Sequence, residues 1–147
     1  MKDVASVLIY TPVPKAFVNA VWADVTRVLK RSVDTSRGKF SMQDVYEGIV
    51  ADVYVLWVVL DDDKVVAAIT SRIVSYPGPH RGMALDWIGG TRMAEWLPMV
   101  QRAMSKYARD NGCTHLEGFG RKAWGRWLAK YGWEPEYIAY RMELSDG

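Results

Sequence analysis

The sequence predicts an α/β domain with a mixed sheet: an antiparallel meander, then a parallel strand–helix–strand crossover, with helices on both faces. Three observations predict it. Two runs rich in Val, Ile, Thr and Tyr, residues 53–60 and 64–76, flank Asp61-Asp62-Asp63 and read as a hairpin. A third run, residues 83–88, follows the short loop 77–82, so the three strands form a meander. Leu97, Val100, Met104, Tyr107 and Ala108 then line one side of a long helix, and a further strand, residues 114–119, follows it. Two strands joined by a helix of that length lie parallel, with a right-handed crossover.

The other elements follow in chain order. Residues 4–13 read as a first strand, ended by Pro12 and Pro14. Phe17, Val18, Val21, Trp22, Val25, Val28 and Leu29 recur at helical spacing and give the next helix one apolar face. Residues 32–39 are polar, contain a glycine, and read as a loop. Ser41 is an N-cap candidate with Asp44 three positions on, in place of the usual Glu, opening a short helix through Met42, Val45, Tyr46, Ile49 and Val50. The three aspartates at 61–63 lack the alternation of a calcium loop and read as a solvated turn. The long helix begins between Thr91 and Leu97, with Pro98 expected in its first turn and Asn111-Gly112 as its C-terminal stop. A shorter helix over residues 121–131 ends at Gly132, and the alternating residues 137–144 are expected to close the sheet.

Composition narrows the function classes. At 147 residues the chain suits one domain, residues 1–147, without repeats or linkers. A formal charge of +2 is too mild to imply nucleic acid. No apolar run approaches the roughly 18–20 residues of a membrane helix, and the start of the chain has no secretory leader, so a cytoplasmic protein is expected. One cysteine, Cys113, and two distant histidines, His80 and His115, argue against a disulfide and against a metal site.

The element order, with Ala108-Arg-Asp-Asn-Gly-Cys113 entering a strand and Trp127-Leu-Ala-Lys-Tyr-Gly-Trp133 after it, resembles the GNAT superfamily of N-acetyltransferases over most of the chain. The resemblance implies a GNAT-like mixed central sheet and acetyl-CoA as cofactor, with transfer of an acetyl group to an amine by direct attack. In that family the loop from the central strand into its helix has Gln or Arg, two residues, Gly, one residue, then Gly or Ala, and its amides hold a pyrophosphate at the helix N-terminus. Here that loop falls on Arg92-Met-Ala-Glu95-Trp-Leu97: Arg92 matches, while Glu95 and Leu97 replace the small residues. Gly89-Gly90 is either a shifted loop or a plain strand end, which makes Trp87, Ile88, Gly89, Gly90, Thr91 and Arg92 the cofactor-binding candidates. The family's tyrosine, which often protonates the leaving thiolate, falls on Leu128, and Arg121 and Trp124, at its asparagine and alanine positions, join the cofactor-binding candidates. A base is wanted too; Asp86 on the central strand and Glu117 on its parallel neighbour are the candidates, each with a purely structural role as the alternative.

Arg121, Lys122, Arg126 and Lys130 make a basic set interleaved with Trp124 and Trp127, either an anion-binding or protein-binding surface or a solvated helix face. A Gly-Gly end to the central strand and Gly120-Arg121 with Trp124 also resemble degenerate GNAT-like proteins encoded by bacteriophages, some virion-associated. That resemblance implies a second function: a binding or structural protein with a protein partner, in the host cytoplasm or the virion.

Overall fold

The computed structural model describes residues 7–120 and 122–145. Strand β1 (Leu8–Pro12) lies at one edge of the sheet; the expected strand residues 4–6 lie outside the described residues. A 3-10 turn, Lys15–Phe17, leads into helix α1 (Val18–Asp34). This helix runs through residues 32–34, expected as loop, because Val33 is fully buried and extends the apolar face by one more turn. Helix α2 (Met42–Val50) starts with a complete capping box: the Ser41 hydroxyl accepts from the Asp44 amide, and the Asp44 carboxylate accepts from the Ser41 amide at 2.8 Å. Aspartate thus closes the box as glutamate would.

Strands β2 (Val55–Asp61) and β3 (Lys64–Ser75) form the expected hairpin, with Asp62 at φ 53° in the tight turn. Residues 53–54 do not join β2; their amides are held by the Gly48 carbonyl as α2 ends. The expected strand over residues 83–88 is two strands, β4 (Arg81–Ala84) and β5 (Ile88–Gly90), and both pair antiparallel with β3. Helix α3 (Met93–Asp110) follows after two residues. Pro98 therefore sits past the first turn, and the Ala94 carbonyl lacks the helical donor that its nitrogen would supply. At the other end Gly112 adopts φ 73°, and the amides of Gly112 and Cys113 bond to the carbonyls of Arg109 and Ala108, a Schellman stop.

Strand β6 (His115–Glu117) pairs parallel with β4, giving the order β1-β2-β3-β4-β6 with β5 beside β3. Helix α4 (Lys122–Leu128) and a 3-10 turn, Ala129–Tyr131, complete the regular structure. Residues 137–144 form no strand: alternation is present, but no neighbouring edge supplies main-chain bonds, and Tyr137, Ile138, Tyr140, Met142 and Leu144 are exposed.

The sheet divides the core in two. Val18, Val25, Leu29, Val45 and Ile49 of α1 and α2 pack on one face against Leu56, Val58, Val65 and Ala68. Trp96, Leu97, Val100, Met104 and Ala108 of α3 pack on the other against Trp57, Val59, Ile69 and Met83, with Trp127, Leu128 and Tyr131 alongside. Among the described residues, no helix is long and apolar enough to cross a membrane.

Candidate functional site

The break between β4 and β5 organises the site. Ala84 opposite Glu117 is the last parallel pair, and the Leu85 amide donates to the Glu117 carbonyl at 2.8 Å. Two residues on, only the β3 partner remains: the Thr70 amide donates to the Trp87 carbonyl at 2.9 Å, and the Thr91 amide to the Val66 carbonyl at 3.0 Å. The central strand therefore leaves β6 and follows β3. A wedge opens between β5 and residues 118–120, with Leu85 and Glu117 at its vertex. Because Trp87 and Thr91 face β3, the alternation of a strand turns the amides of Ile88 and Gly90 the other way, towards the wedge.

Glycine at positions 89 and 90 is demanded by packing. A Cβ on Gly89 would lie 2.3 Å from the Val28 carbonyl oxygen of α1, and one on Gly90, at φ 146°, 2.3 Å from the Val66 oxygen of β3. Trp87 turns its indole into the α1–α2 core, where Phe40 meets it edge-on at 5.3 Å. The Trp87 Nε1–H is buried with no partner among the described residues. Ile88 packs on the α3 side.

The turn into α3 is tied shut. Arg92, at φ 62°, donates through Nη1 to Asp61 at 2.6 Å and through Nε and Nη2 to Glu95 at 2.8 and 3.1 Å. The left-handed conformation costs an L-residue about 1–2 kcal/mol, and the ion pairs offset it. Glu95 and Asp61 hold the Arg92 guanidinium charged well above its ordinary range, and Arg92 pulls the Glu95 carboxyl below its own. Trp96, fully buried, donates its indole N–H to the Thr91 carbonyl at 2.6 Å. Asp61, expected only to make a turn, is thus part of this clasp. Pairing in the folded sheet brings it to Arg92, and no spacing in the sequence announces that.

Glu117 and His115 share the sheet face opposite α3, since Leu116 between them packs on the α3 side. The Glu117 carboxylate lies over Gly82, where a Cβ would meet its Oε1 at 2.1 Å. It accepts from the Tyr76 hydroxyl at 2.6 and 2.7 Å, and its Oε1 is 2.9 Å from His115 Nε2. The hydrogen bond to Glu117 pushes the Tyr76 phenol up to about 12. His115 Nδ1 is 2.9 Å from the Thr114 hydroxyl, and the His80 ring lies 6.0 Å from the His115 ring. Asp86 is nearly buried and bound bidentately by Arg72 at 2.8 and 3.3 Å, which raises Arg72 further above its ordinary value. Both candidate residues belong to the strands that meet at the vertex, but the Glu117 carboxylate turns back from it over Gly82, which pairs with His115. Asp86 is engaged by a cation, whereas Glu117 is engaged by a phenol and an imidazole.

On α4, Trp124 stands edge-on to Trp127 at 6.2 Å, and Trp127 tilts against Tyr131. Leu128 packs towards the α3-side core. Arg121 lies outside the described residues. Gln101 fastens the end of this unit, donating to the Tyr131 carbonyl at 2.8 Å and accepting from Trp133 Nε1 at 3.0 Å. No cluster of three or more His, Cys, Asp or Glu side chains placed to hold a metal occurs among the described residues.

Along the wedge the Ile88 and Gly90 amides turn away from β3, where an extended ligand bearing carbonyl groups would find donors. At the turn into α3 the charge balance is unfavourable to a diphosphate, since Glu95 and Asp61 outnumber Arg92.

No protein-family model and no curated protein sequence matches the chain. Solved structures do match over nearly its whole length. A predicted acetyltransferase from Clostridium acetobutylicum with acetyl-CoA superposes with a TM-score of 0.66 at 8% identity, covering 93% of this chain and 96% of that one. An aminoglycoside acetyltransferase from an uncultured soil metagenomic sample, in complex with sisomicin, gives 0.64 at 13% identity, covering 94% and 97%. Glucosamine-6-phosphate N-acetyltransferase from Arabidopsis thaliana gives 0.63 at 11% identity, covering 95% and 99%. The fold is that of the GNAT acetyltransferases.

Proposed function

We propose that the chain is an acyltransferase that moves an acyl group from a thioester to an amine by direct attack. One observation carries this reading: the central strand parts from its parallel neighbour beside a carboxylate, leaving two backbone amides facing the wedge. The Ile88 amide, the nearer of the two to the vertex, is set to polarise the thioester carbonyl, as a fixed donor aimed at a developing oxyanion does, and the Gly90 amide, about two residues' rise further on, is left for the arm behind it. The attacking amine must first lose a proton, and Glu117, whose carboxylate turns back over Gly82, is the acceptor through an intervening water. The nitrogen then bonds to the carbonyl carbon as the carbon–sulfur bond breaks, and the proton the nitrogen sheds on becoming an amide passes through water to the leaving thiolate, because Leu128 has no proton to give. His115 and Tyr76 position Glu117 through the bonds already described. Asp86, held by Arg72, shapes the site without taking the proton.

Structural neighbours solved with acetyl-CoA and with an aminoglycoside support an acetyl thioester and an amine as the two substrates. The test is amine-dependent thiol release from acetyl thioesters across aminoglycosides, amino sugars and peptide amines. Release is expected with at least one amine, falling about 10²- to 10⁴-fold in Glu117→Gln. No amine-dependent release with any pair overturns the reading.

The clasp of Arg92, Glu95 and Asp61 favours a second reading: a chain that keeps the fold and has given up transfer to bind a protein partner, as the phage-protein resemblance implies. The exposed apolar side chains at residues 137–144 would then be the contact surface. A monomer that captures no partner removes this second reading.

A further inference from the structure

We infer that the acyl donor is a thioester on a pantetheine-type arm that carries no nucleotide diphosphate; the inference rests on the acyltransfer reading above. A diphosphate bound at a helix N-terminus needs exposed first-turn amides, bare backbone for close approach, and a positive local field. The start of α3 offers none of the three in usable form. Glu95 places a carboxylate in the first turn, and Asp61 adds a second from the β2–β3 hairpin. Arg92 is the cation between them, and its guanidinium already spans both through three hydrogen bonds. With one positive and two negative charges, this turn repels a polyanion. The helix carries its own anion, Glu95, in its first turn, held by Arg92. Trp96 fastens the turn from beneath through Thr91 and fills the space behind it.

The wedge between β5 and β6 makes the opposite demand. It offers main-chain amides to an extended partner and requires no charge of it. A pantetheine arm, two amides long and uncharged, pairs with such an edge as a strand would. Donor binding is therefore concentrated in the arm, and the nucleotide end of a CoA adds nothing. Two sources present such an arm: a small free thioester, and a carrier protein bearing it on a single phosphodiester.

Three probes separate the cases in titrations followed by tryptophan fluorescence: acetyl-CoA, S-acetylpantetheine, and a carrier protein loaded with acetyl-phosphopantetheine. Acetyl-CoA and S-acetylpantetheine are expected to bind within threefold of each other. Acetyl-CoA binding more than tenfold tighter overturns the inference and leaves acyl transfer standing. Failure of all three probes to bind overturns the acyltransfer reading itself. Tighter binding of the loaded carrier than of S-acetylpantetheine supports the inference and makes the carrier the source; equal binding supports it and makes the free thioester the source. Glu95→Gly and Asp61→Asn, checked for native circular dichroism, are each expected to tighten acetyl-CoA several-fold while leaving S-acetylpantetheine unchanged. If neither variant moves acetyl-CoA relative to S-acetylpantetheine, the charges at the turn do not select the donor and the inference fails.

Discussion

At the scale of single residues, Glu117 and Gly89 show how little room the site leaves. Tyr76 donates to Glu117, so its neutral phenol is favoured and its ionisation is delayed to about 12 from an ordinary 10.0. Stability from this bond is present in full below pH ~10 and is lost as pH climbs through the folded value, because the ionised phenol cannot donate. Glu117→Gln is expected to let one tyrosine ionise closer to 10, read as an earlier rise in an alkaline ultraviolet titration; Tyr76→Phe should remove that same phase. Gly89→Ala sets a methyl against the Val28 carbonyl oxygen, where only movement of α1 or β5 makes space. It is expected to cost ~3 kcal/mol in urea unfolding, the upper end for overpacking, while an alanine at Gly78, with open space around it, should be tolerated. The pair Gly89-Gly90 was visible in the sequence as a candidate ligand loop or a strand end. Which atoms crowd it was not, since Val28 and Val66 come from elements distant in the chain.

Elements show a similar division between what periodicity carries and what assembly decides. Ser41 and Asp44 lie three apart, and the capping box could be read directly from that spacing. Ser41→Ala is expected to lower stability by ~1 kcal/mol and to unwind the start of α2, measured by thermal melting and by exchange of the Asp44 amide. The amphipathic faces of α1 and α3 were legible for the same reason, as both follow the 3.6-residue repeat. The split of the central strand was not. Residues 83–88 look like one strand because their composition is continuous. The loss of β6 as a partner after Leu85 depends on where β6 ends, and β6 lies beyond the whole of α3. Residues 137–144 illustrate the converse, where alternation without a paired edge yields no strand. The clasp at the start of α3 lies between these cases: Arg92 and Glu95 are three apart on one helix end, but Asp61 arrives only through the hairpin.

For the molecule as a whole, the layering predicts how protection is distributed. The centre of β3 is flanked on both edges and covered on both faces, with Ala67, Ala68, Ile69 and Thr70 fully buried. Its amides are expected to be the slowest in native-state hydrogen exchange, and those of residues 136–145 among the fastest; protection in that segment equal to β3 would contradict the arrangement. The order of strands also has a kinetic consequence. Strands β1 to β4 pair with neighbours already synthesised or only a few residues away, apart from the link that α1 and α2 make between β1 and β2. The β4–β6 pair must wait for the eighteen residues of α3 to be made and laid across the sheet. Loop closure of that length delays a parallel pairing relative to a hairpin. The vertex, where Leu85 and Glu117 meet, is thus among the last places to form. A ribosome-bound chain cut short before residue 115 would carry the meander and its clasp, yet have no second wall to its wedge.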